Sequence, residues 1–231
     1  MSLERVLEEL SHKEVHTFTC GINDPQRGYT RKRLEYRYYD REKQLILLSR
    51  TDITDVYEEE LERQKEMQLA LERAKTDAST GLLNKCGLED RVTLALEHTT
   101  GLYALLFLDL DNFKMVNDTQ GHLKGDAVIQ KIADVFKLET RHEDIVGRIG
   151  GDEFIIFLPS VRSEQDVTAY AKRLCDSIQN LGYFQTLNIA VSVSIGIIVS
   201  SQRGEDYASL VERADAKVYE AKAKGKNCYA I

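Results

Sequence analysis

The sequence predicts an α+β fold in which helices pack on a central sheet, preceded by a smaller β-rich segment. Residues 102–110, LYALLFLDL, are continuously apolar, which indicates a strand that is buried on both faces. Two more strands, IVGRIGG and EFIIFL, follow within residues 145–158. Amphipathic helical patterns at residues 163–179 and 207–224 alternate with a strand at residues 187–200.

The same region contains shorter elements. Helical patterns cover residues 113–120 and 126–139, and NCYAI, residues 227–231, reads as a last strand. Gly150-Gly151 lies between the two strands at residues 145–158 and is typical of a tight two-residue hairpin, because both central positions of such a turn need φ > 0. The sequence therefore predicts a hairpin with a glycine tip.

The first 54 residues predict a short helix at residues 3–10 and about three antiparallel strands. The strands are VHTFTCG, TRKRLEYRYYD and KQLILLSRTDI, separated by NDPQRG and DREK turns. One helix and three strands are few for an independent domain. We therefore expect this segment to lack part of its core or to pair with another copy.

Residues 55–77 contain no Gly or Pro and consist mainly of strong helix formers. Apolar residues recur at helical spacing over only about three heptads, at Tyr57, Leu61, Met67, Leu71 and Ala74. Two interpretations stay open. The segment is either a short dimeric coiled coil or a solvated helix with one apolar face.

The composition, 42% hydrophobic and 30% charged, is that of an ordinary soluble protein, and no apolar run approaches the roughly 18 residues of a membrane span. The N-terminal MSLERVLEEL lacks the apolar stretch of a secretory signal, so we expect a cytoplasmic chain. A net charge of −7 argues against a nonspecific nucleic-acid binder. The four cysteines have no metal-ligand spacing and are expected to be reduced: Cys20, Cys86, Cys175 and Cys228.

Carboxylates interrupt the apolar strands. Asp109 lies at the end of the first buried strand with Asp111 just beyond it, and Asp152 and Glu153 lie at the hairpin tip. If the strands are neighbours, these groups converge, and buried like charges must protonate, pair with cations or bind metal. Oxygen ligands at a rigid strand end suit Mg²⁺ with phosphate oxygens. The alternative is a solvated acidic hairpin.

Five blocks in order resemble the GGDEF family of diguanylate cyclases, from about residue 77 to residue 231. They are DASTGLLNK at 77–85, LDLDNFKMVNDTQGHLKGD at 108–126, GGDEF at 150–154, AVSVSIGI at 190–197 and ADAKVYEAKAKGKN at 214–227. The resemblance implies a fold similar to the palm of adenylyl cyclases and some polymerases. It also implies condensation of two GTP molecules into cyclic di-GMP, with one GTP in each domain of a two-fold homodimer.

The resemblance also assigns metal ligands. Asp109, the backbone carbonyl of Leu110 and Asp152 would hold two Mg²⁺ ions per active site, with Mn²⁺ as an alternative. Asp152 would be the candidate to accept the 3′-hydroxyl proton, with Glu153 as a second acidic contributor. Sequence does not separate these two roles.

Other family positions would contact the nucleotide. Asn117 and Asp126 would read guanine, although Asp126 also occupies a good helix N-cap position between Gly125 and AVIQKIADVF. The phosphates would be contacted by the backbone at residues 112–114 and by Lys114, Lys222 and Lys226, with His122 as a weaker candidate. Gly150 and Gly151 would let a phosphate or base approach the backbone.

RHED, residues 141–144, is in the register of the family's RxxD product-binding inhibitory site. Arg141 could hold a guanine edge or a phosphate, and Asp144 a Watson–Crick edge. A further basic residue is expected on the next helix, at Lys172 or Arg173. The resemblance thus implies feedback inhibition by cyclic di-GMP, bound as an intercalated dimer.

The sequence departs from the family pattern at Lys85-Cys86, usually Arg-Arg, and at Lys226, usually Arg. Lysine keeps the charge but loses the planar fork, so phosphates would be oriented less firmly. SRTDIT before the charged helix resembles the end of a PAS sensor domain. We therefore expect a partial PAS-like segment at residues 1–54, a signalling helix at 55–77 and the cyclase domain at 78–231.

Three other functions stay open at this point. The domain could be a catalytically idle receptor that binds cyclic di-GMP through Arg141 and Asp144, or a dimerisation module with a decorative acidic hairpin. A polymerase-like or adenylyl cyclase activity would use the same metals. The intact Asp109, Asp152 and Glu153 favour an active enzyme.

Overall fold

The computed structural model describes residues 3–26, 28–42, 45–181 and 191–231. The chain divides into two compact units, Met1–Ala70 and Leu71–Ile231. No helix in the described part of the chain is long and apolar enough to cross a membrane. The four cysteines are free thiols, as expected.

The first unit contains a three-stranded antiparallel sheet of β1 (Val15–Asp24), β2 (Gly28–Asp40) and β3 (Leu45–Asp52), in the order β1-β2-β3. Helix α1 (Leu3–His12) packs on β1 and β2 and buries Val6 and Leu10. The three predicted strands are thus confirmed. Strand β3 stays largely exposed, including Leu45, Leu47 and Leu48, so this sheet has a small core.

Helix α2 (Thr54–Ala74) is fixed to the sheet by residues at its start. Asp52 accepts hydrogen bonds from the backbone N–H and hydroxyl of Thr54, and it pairs with the ammonium of the buried Lys32. The Arg31 N–H donates to Thr54 Oγ1 at 2.9 Å, and the Arg31 guanidinium lies 4.3 Å from the centre of the Tyr57 ring. Hydrogen bonds from Lys32 and Thr54 lower the pKa of Asp52.

The rest of α2 buries no residue. Its exposed apolar side chains include Tyr57, Leu61, Met67 and Leu71, each at least 40% exposed. An apolar face of this kind is what a second helix would cover, so the coiled coil stays a prediction.

The second unit is built on a five-stranded sheet in the order β5-β6-β4-β7-β8. The strands are β4 (Tyr103–Asp111), β5 (Ile145–Arg148), β6 (Glu153–Leu158), β7 (Ser192–Ser200) and β8 (Tyr229–Ala230). Strand β4 pairs antiparallel with β6 and β7, and β8 joins β7 in parallel. The helices are α3 (Lys85–His98), α4 (Phe113–Gln120), α5 (His122–Glu139), α6 (Glu164–Gln179) and α7 (Tyr207–Ala223).

Helices cover both faces of this sheet. One core joins Leu106 and Leu108 of β4 to α5 and α6, and the other joins Leu105 and Phe107 to α3 and α7. Alternate residues of β4 thus enter opposite cores, which explains its continuous apolar sequence. The predicted α+β architecture is confirmed.

Four local expectations differ from the structure. The helix predicted from residue 126 begins at His122, after Gly121 with φ 82°. Helix α3 was not predicted. It contains Gly87 at a position where a Cβ would lie 2.3 Å from the Lys75 carbonyl oxygen, so a larger residue would not fit there. The last strand contains only two residues. The predicted strand at 187–200 is seen over Ser192–Ser200, and residues 187–190 lie outside the described part.

The glycine tip also differs. Gly150 and Gly151 do not have positive φ, so the predicted two-residue hairpin is wrong. Four residues, 149–152, connect β5 to β6, and the N–H groups of Ile149 and Gly150 both donate to the Glu153 carbonyl, at 3.0 and 3.4 Å. The longer link satisfies the backbone without a left-handed residue.

Close packing between β7 and α7 makes Gly196 a sensitive position. A Cβ at Gly196 would lie 2.0 Å from the Ala214 carbonyl oxygen and 2.6 Å from the Val218 nitrogen. We expect Gly196→Ala to lower the free energy of unfolding by at least about 2 kcal/mol, because helix and strand must separate. Gly101→Ala is the control, since nothing lies within 4 Å of its Cβ position. Equal urea midpoints for the two variants would contradict this packing.

Candidate active site

Three elements bring carboxylates to one end of the sheet. Asp109 in β4 pairs with Glu153 in β6, so their side chains lie on the same face. The Leu110 N–H donates to the Asp152 carbonyl oxygen at 3.1 Å, which fixes the link beside β4. The predicted convergence is therefore present in the backbone register.

The electrostatics of this cluster leave negative charge uncompensated. Lys222 of α7 places its Nζ 2.7 Å from Asp109 Oδ1. Burial nevertheless raises the pKa of Asp109, with the charges of Asp152 and Asp111 adding to the effect and Lys222 opposing it. Burial also raises the pKa of Glu153, and the negative charges of Asp109 and Asp152 add to this effect. One lysine does not neutralise the group.

The donor set suits a hard divalent cation. Asp109, Asp152 and the Leu110 carbonyl offer only oxygen, which Mg²⁺ prefers and Zn²⁺ does not require. The ammonium group of Lys222 occupies the position next to Asp109 that a metal ion would take. Among the described residues, no three acidic, histidine or cysteine side chains converge into a formed metal site. A metal at Asp109 would therefore require Lys222 to move aside.

Arg148 holds the glycine tip. Its Nε donates to the Gly150 carbonyl at 3.1 Å and its Nη2 to the Gly151 carbonyl at 2.8 Å. A Cβ on Gly150 would lie 2.4 Å from Glu153 Oε2, whereas a Cβ on Gly151 would meet open space. The two glycines thus have different functions, since one admits the Glu153 side chain and the other leaves the surface uncovered.

Arg148 also contacts the DASTGLLNK block. Its Nη1 lies 2.6 Å from Ser79 Oγ and 3.3 Å from Asp77 Oδ1. Burial of Asp77 opposes its ionisation, but hydrogen bonds from Ser79 and Thr80 and the charge of Arg148 lower the pKa of Asp77 to about 2. Sequence reasoning missed Arg148; its place two residues before the glycine pair was the available signal.

Asn117 and Asp126 lie near each other on consecutive helices. A Cβ on Gly125 would lie 1.9 Å from Asn117 Oδ1, so the amide occupies the space above that glycine. Asp126 is exposed inside α5, and the N-cap interpretation is therefore wrong, because Gly121 precedes the helix. Lys114 and His122 are exposed in the first turns of α4 and α5.

Lys226 comes from the C-terminal turn. Its Nζ donates to Asn112 Oδ1 at 2.9 Å, next to the end of β4. Together with Lys222, it places positive charge on the side of the site that α7 provides. The structure thus places Lys222 beside Asp109 and Lys226 beside Asn112, and it leaves Arg141 and Asp144 at the other end of β5.

The family comparison agrees with this geometry. The model described as "Diguanylate cyclase, GGDEF domain" matches residues 74–228, which is more than half of the chain. The chain belongs to the GGDEF diguanylate cyclase family. The family prediction is therefore confirmed, while the PAS-like interpretation of the segment before the match stays a prediction.

Individual relatives support the same family. Diguanylate cyclase DgcS of Shewanella oneidensis is 35% identical over 165 residues, which are 69% of this chain and 53% of that protein. Cyclic di-GMP phosphodiesterase PdeR of Escherichia coli is 32% identical over 187 residues, 80% of this chain and 27% of that protein. The chain thus spans between about a quarter and about a half of these relatives.

A solved structure resembles about three quarters of this chain. The coiled coil and GGDEF domain of DgcB from Caulobacter crescentus, in complex with c-di-GMP, superposes with a TM-score of 0.70 at 28% identity. The match covers 77% of this chain and 96% of that one. The predicted fold is thus also confirmed by a relative of known structure.

The RxxD residues of the GGDEF domain line a cleft of about 320 Å³. The Arg141 N–H donates to Asp144 Oδ2 at 2.7 Å, and burial raises the pKa of Asp144. Arg173 lines the same cleft, 5.1 Å from the Tyr170 ring, with its Nε 2.8 Å from Glu139 Oε2. Of the two predicted basic residues, Arg173 therefore lies beside Arg141 and Asp144. Lys172 is exposed.

Ionisation of Asp77 stabilises the folded GGDEF domain. Its folded pKa is depressed, so the contribution is complete above the unfolded value of 3.8 and is lost as the pH falls toward about 2. We expect Asp77→Asn to lower the free energy of unfolding by roughly 1–2 kcal/mol at pH 7, allowing for solvent screening.

The control for Asp77→Asn is Asp90→Asn. Asp90 pairs with Lys75 at 2.8 Å, but its side chain is 50% exposed, so we expect a change below about 0.5 kcal/mol. Denaturant titrations at pH 7 and at lower pH measure both variants. A difference for Asp77→Asn that does not shrink below pH 4 would show that its charge is not the cause.

Proposed function

We propose that this chain is a diguanylate cyclase that condenses two GTP molecules into cyclic di-GMP and releases two pyrophosphates. The observation that supports this most is the placement of Asp109, Asp152 and Glu153 beside Lys222 and the uncovered Gly151. Charge neutralisation and positioning are the main requirements of phosphoryl transfer, and such a cluster supplies both. A cytoplasmic location, where GTP is available, belongs to the same proposal.

Asp109, the Leu110 carbonyl and Asp152 would hold divalent cations, two Mg²⁺ per site with Mn²⁺ as an alternative. The metals would supply charge neutralisation at the α-phosphate when bound. Lys222, released from Asp109, would then join Lys226 and Lys114 at the phosphates. Asn117 would pair with guanine through its amide and Asp126 through its carboxylate.

The reaction forms a bond from the 3′-oxygen to the α-phosphorus and breaks the bond from that phosphorus to the bridging oxygen of pyrophosphate. The 3′-hydroxyl proton must leave in the same step. Asp152 is the proposed acceptor, and Glu153 is the second candidate because it lies directly opposite Asp109 in the sheet. Gly151 would let the triphosphate approach the backbone.

Two GTP molecules react with each other, so two copies of the domain must face each other. The exposed apolar residues of α2, including Leu61 and Met67, support a homodimer through this helix. The Caulobacter relative is described as a coiled coil and GGDEF domain, which supports this part of the proposal. The alternative, a solvated helix, would leave these side chains in water.

Product inhibition is the second part of the proposal. Arg141, Asp144 and Arg173 offer two guanidinium groups and a carboxylate within one cleft, which suits phosphates and guanine edges. The Caulobacter relative was solved in complex with c-di-GMP. A catalytically idle receptor would use the same cleft, and the Escherichia coli relative named as a phosphodiesterase favours keeping it as the second candidate.

Asp152→Ala tests the enzymatic proposal. With GTP and Mg²⁺, we expect chromatography to show cyclic di-GMP from the unaltered chain and a rate at least about a hundredfold lower from the variant. Asp134→Ala removes an exposed carboxylate of α5 and should leave the rate unchanged. Full synthesis by the Asp152 variant would exclude its role, and product from ATP alone would indicate adenylyl cyclase chemistry. A chain that binds cyclic di-GMP without making it would be the idle receptor.

Arg141→Ala tests the inhibitory cleft. We expect the progress curve of this variant to stay linear while that of the unaltered enzyme slows, and the inhibitory product concentration to rise about tenfold or more, because a charged hydrogen-bonding partner is lost. Arg91→Ala, which removes an exposed arginine of α3, should behave as the unaltered enzyme. Unchanged slowing in the Arg141 variant would place inhibition elsewhere.

A further inference from the structure

The second aspartate of LDLD has a different environment from the first. Asp111 is only 2% exposed, and its carboxylate accepts three hydrogen bonds. Its Oδ2 accepts from Ser192 Oγ at 2.6 Å and from the Asn227 N–H at 3.0 Å, and its Oδ1 accepts from Ser194 Oγ at 2.8 Å. With protein donors on both oxygens, this carboxylate is already satisfied without a metal.

The Asn227 contact matters because the chain there is strained. Gly225, Lys226 and Asn227 have φ values of 119°, 66° and 48°, so three consecutive residues are left-handed. For a residue other than glycine, this conformation costs roughly 1–2 kcal/mol and persists only when the surroundings enforce it. The Lys226 N–H donates to the Ala221 carbonyl of α7 at 3.4 Å, which is a long hydrogen bond, so contacts from outside the turn must supply the rest of its support.

Contacts from three elements hold the turn. Asp111 binds the Asn227 N–H, the Asn227 side-chain amide donates to Gln179 of α6 at 2.9 Å, and the Ile195 N–H donates to the Cys228 carbonyl at 2.9 Å. Of these, the Asp111 bond is the one that involves a charged group. Hydrogen bonds to charged groups are the stronger ones.

The turn carries Lys226 back to the end of β4. Lys226 Nζ contacts the Asn112 side chain, and Asn112 directly follows Asp111. Asp111 thus fixes the backbone of the turn, and Asn112 fixes the Lys226 ammonium. Both residues lie just after Asp109 in the chain. The lysine is therefore positioned against the same strand end that carries the acidic cluster.

We propose that Asp111 is a positioning residue that holds the Gly225–Asn227 turn and thereby presents Lys226 to the phosphates of the nucleotide. It is not a metal ligand and it does not touch the reacting atoms. This inference rests on the proposed GTP site, and it assigns the two aspartates of LDLD to separate tasks. Asp109 pairs with Lys222 in the acidic cluster, and Asp111 binds Ser192, Ser194 and the Asn227 turn.

Three substitutions separate positioning from metal binding and from simple stabilisation. Asp111→Ala removes all three bonds. Asp111→Asn can keep them, because its carbonyl oxygen can accept from Asn227 and Ser192 while its amide donates to the Ser194 hydroxyl. Ser194→Ala removes one bond to the same carboxylate but leaves the Asn227 bond, so it is the matched control for loss of stability.

We expect Asp111→Ala to raise the KM for GTP about tenfold, as for the loss of one hydrogen bond to a charged group, with a much smaller effect on kcat. Asp111→Asn and Ser194→Ala should retain the unaltered KM, although Ser194→Ala should melt earlier. Hydrogen exchange at the Asn227 amide gives a readout without GTP. Protection should be lost in Asp111→Ala and retained in the other two variants.

A double-mutant cycle tests whether Asp111 acts through Lys226. We expect Lys226→Ala and the double variant Asp111→Ala/Lys226→Ala to share one KM. Additive effects of the two substitutions on KM would overturn the proposal. It would also be overturned if Asp111→Asn were as inactive as Asp109→Asn, because Asp111 would then be a metal ligand. An Asp111→Ala variant with lower stability and unchanged KM would show a purely structural role. If Asp111→Ala does not fold, Asp111→Ser, too short to reach Asn227, replaces it.

The unaltered enzyme separates the two levels of the proposal. If it neither binds nor converts GTP with Mg²⁺, the proposed function fails and Lys226 has no phosphate to meet. If it converts GTP and Lys226→Ala leaves the KM unchanged, only the positioning role of Asp111 fails.

Discussion

The hydrogen-bonded register between β4 and its two neighbours is the constraint on which the site depends. It places Asp109 opposite Glu153 on one side and Ser194 on the other. A sheet cannot slide by one residue without turning every buried side chain to the wrong face, so the carboxylates cannot separate to relieve their repulsion. The repulsion is therefore stored in the folded state, and positive charge from Lys222 or a divalent cation is what can reduce it.

The partners that compensate this site come from distant parts of the chain. Lys222 is on α7, Arg148 joins the glycine tip to Asp77, and Asp111 binds the C-terminal turn at Asn227. The long-range contacts cannot form within a local segment, because Arg148 and Asp77 are 71 residues apart and Asp111 and Asn227 are 116 residues apart. The site is thus assembled only when the whole unit has folded.

Sequence predicted the elements whose apolar pattern is unambiguous. Strand β4 could be found because its residues enter two cores in turn, and the acidic cluster followed from its end. The start of α5 was missed because HLKG has no apolar periodicity. Helix α3 was missed because Gly87 weakens the helical pattern, and the reason for a glycine there is its close approach to Lys75, which the sequence does not show. Arg148 was missed because its function lies in tertiary contacts. The glycine tip was assigned the wrong turn, since Arg148 and the Glu153 carbonyl fix its backbone instead.

Stability and substrate access make opposite demands at the end of β4. Unfolding would release the crowded acids and the left-handed residues Lys226 and Asn227, so both features lower stability. The acidic cluster lies next to Gly151, whose Cβ position meets open space, and the turn holds Lys226 against Asn112. Filling that space or straightening the turn would remove the arrangement of charged groups that the proposed function requires. The two large cores on either side of the sheet supply the surplus of burial that permits this local instability.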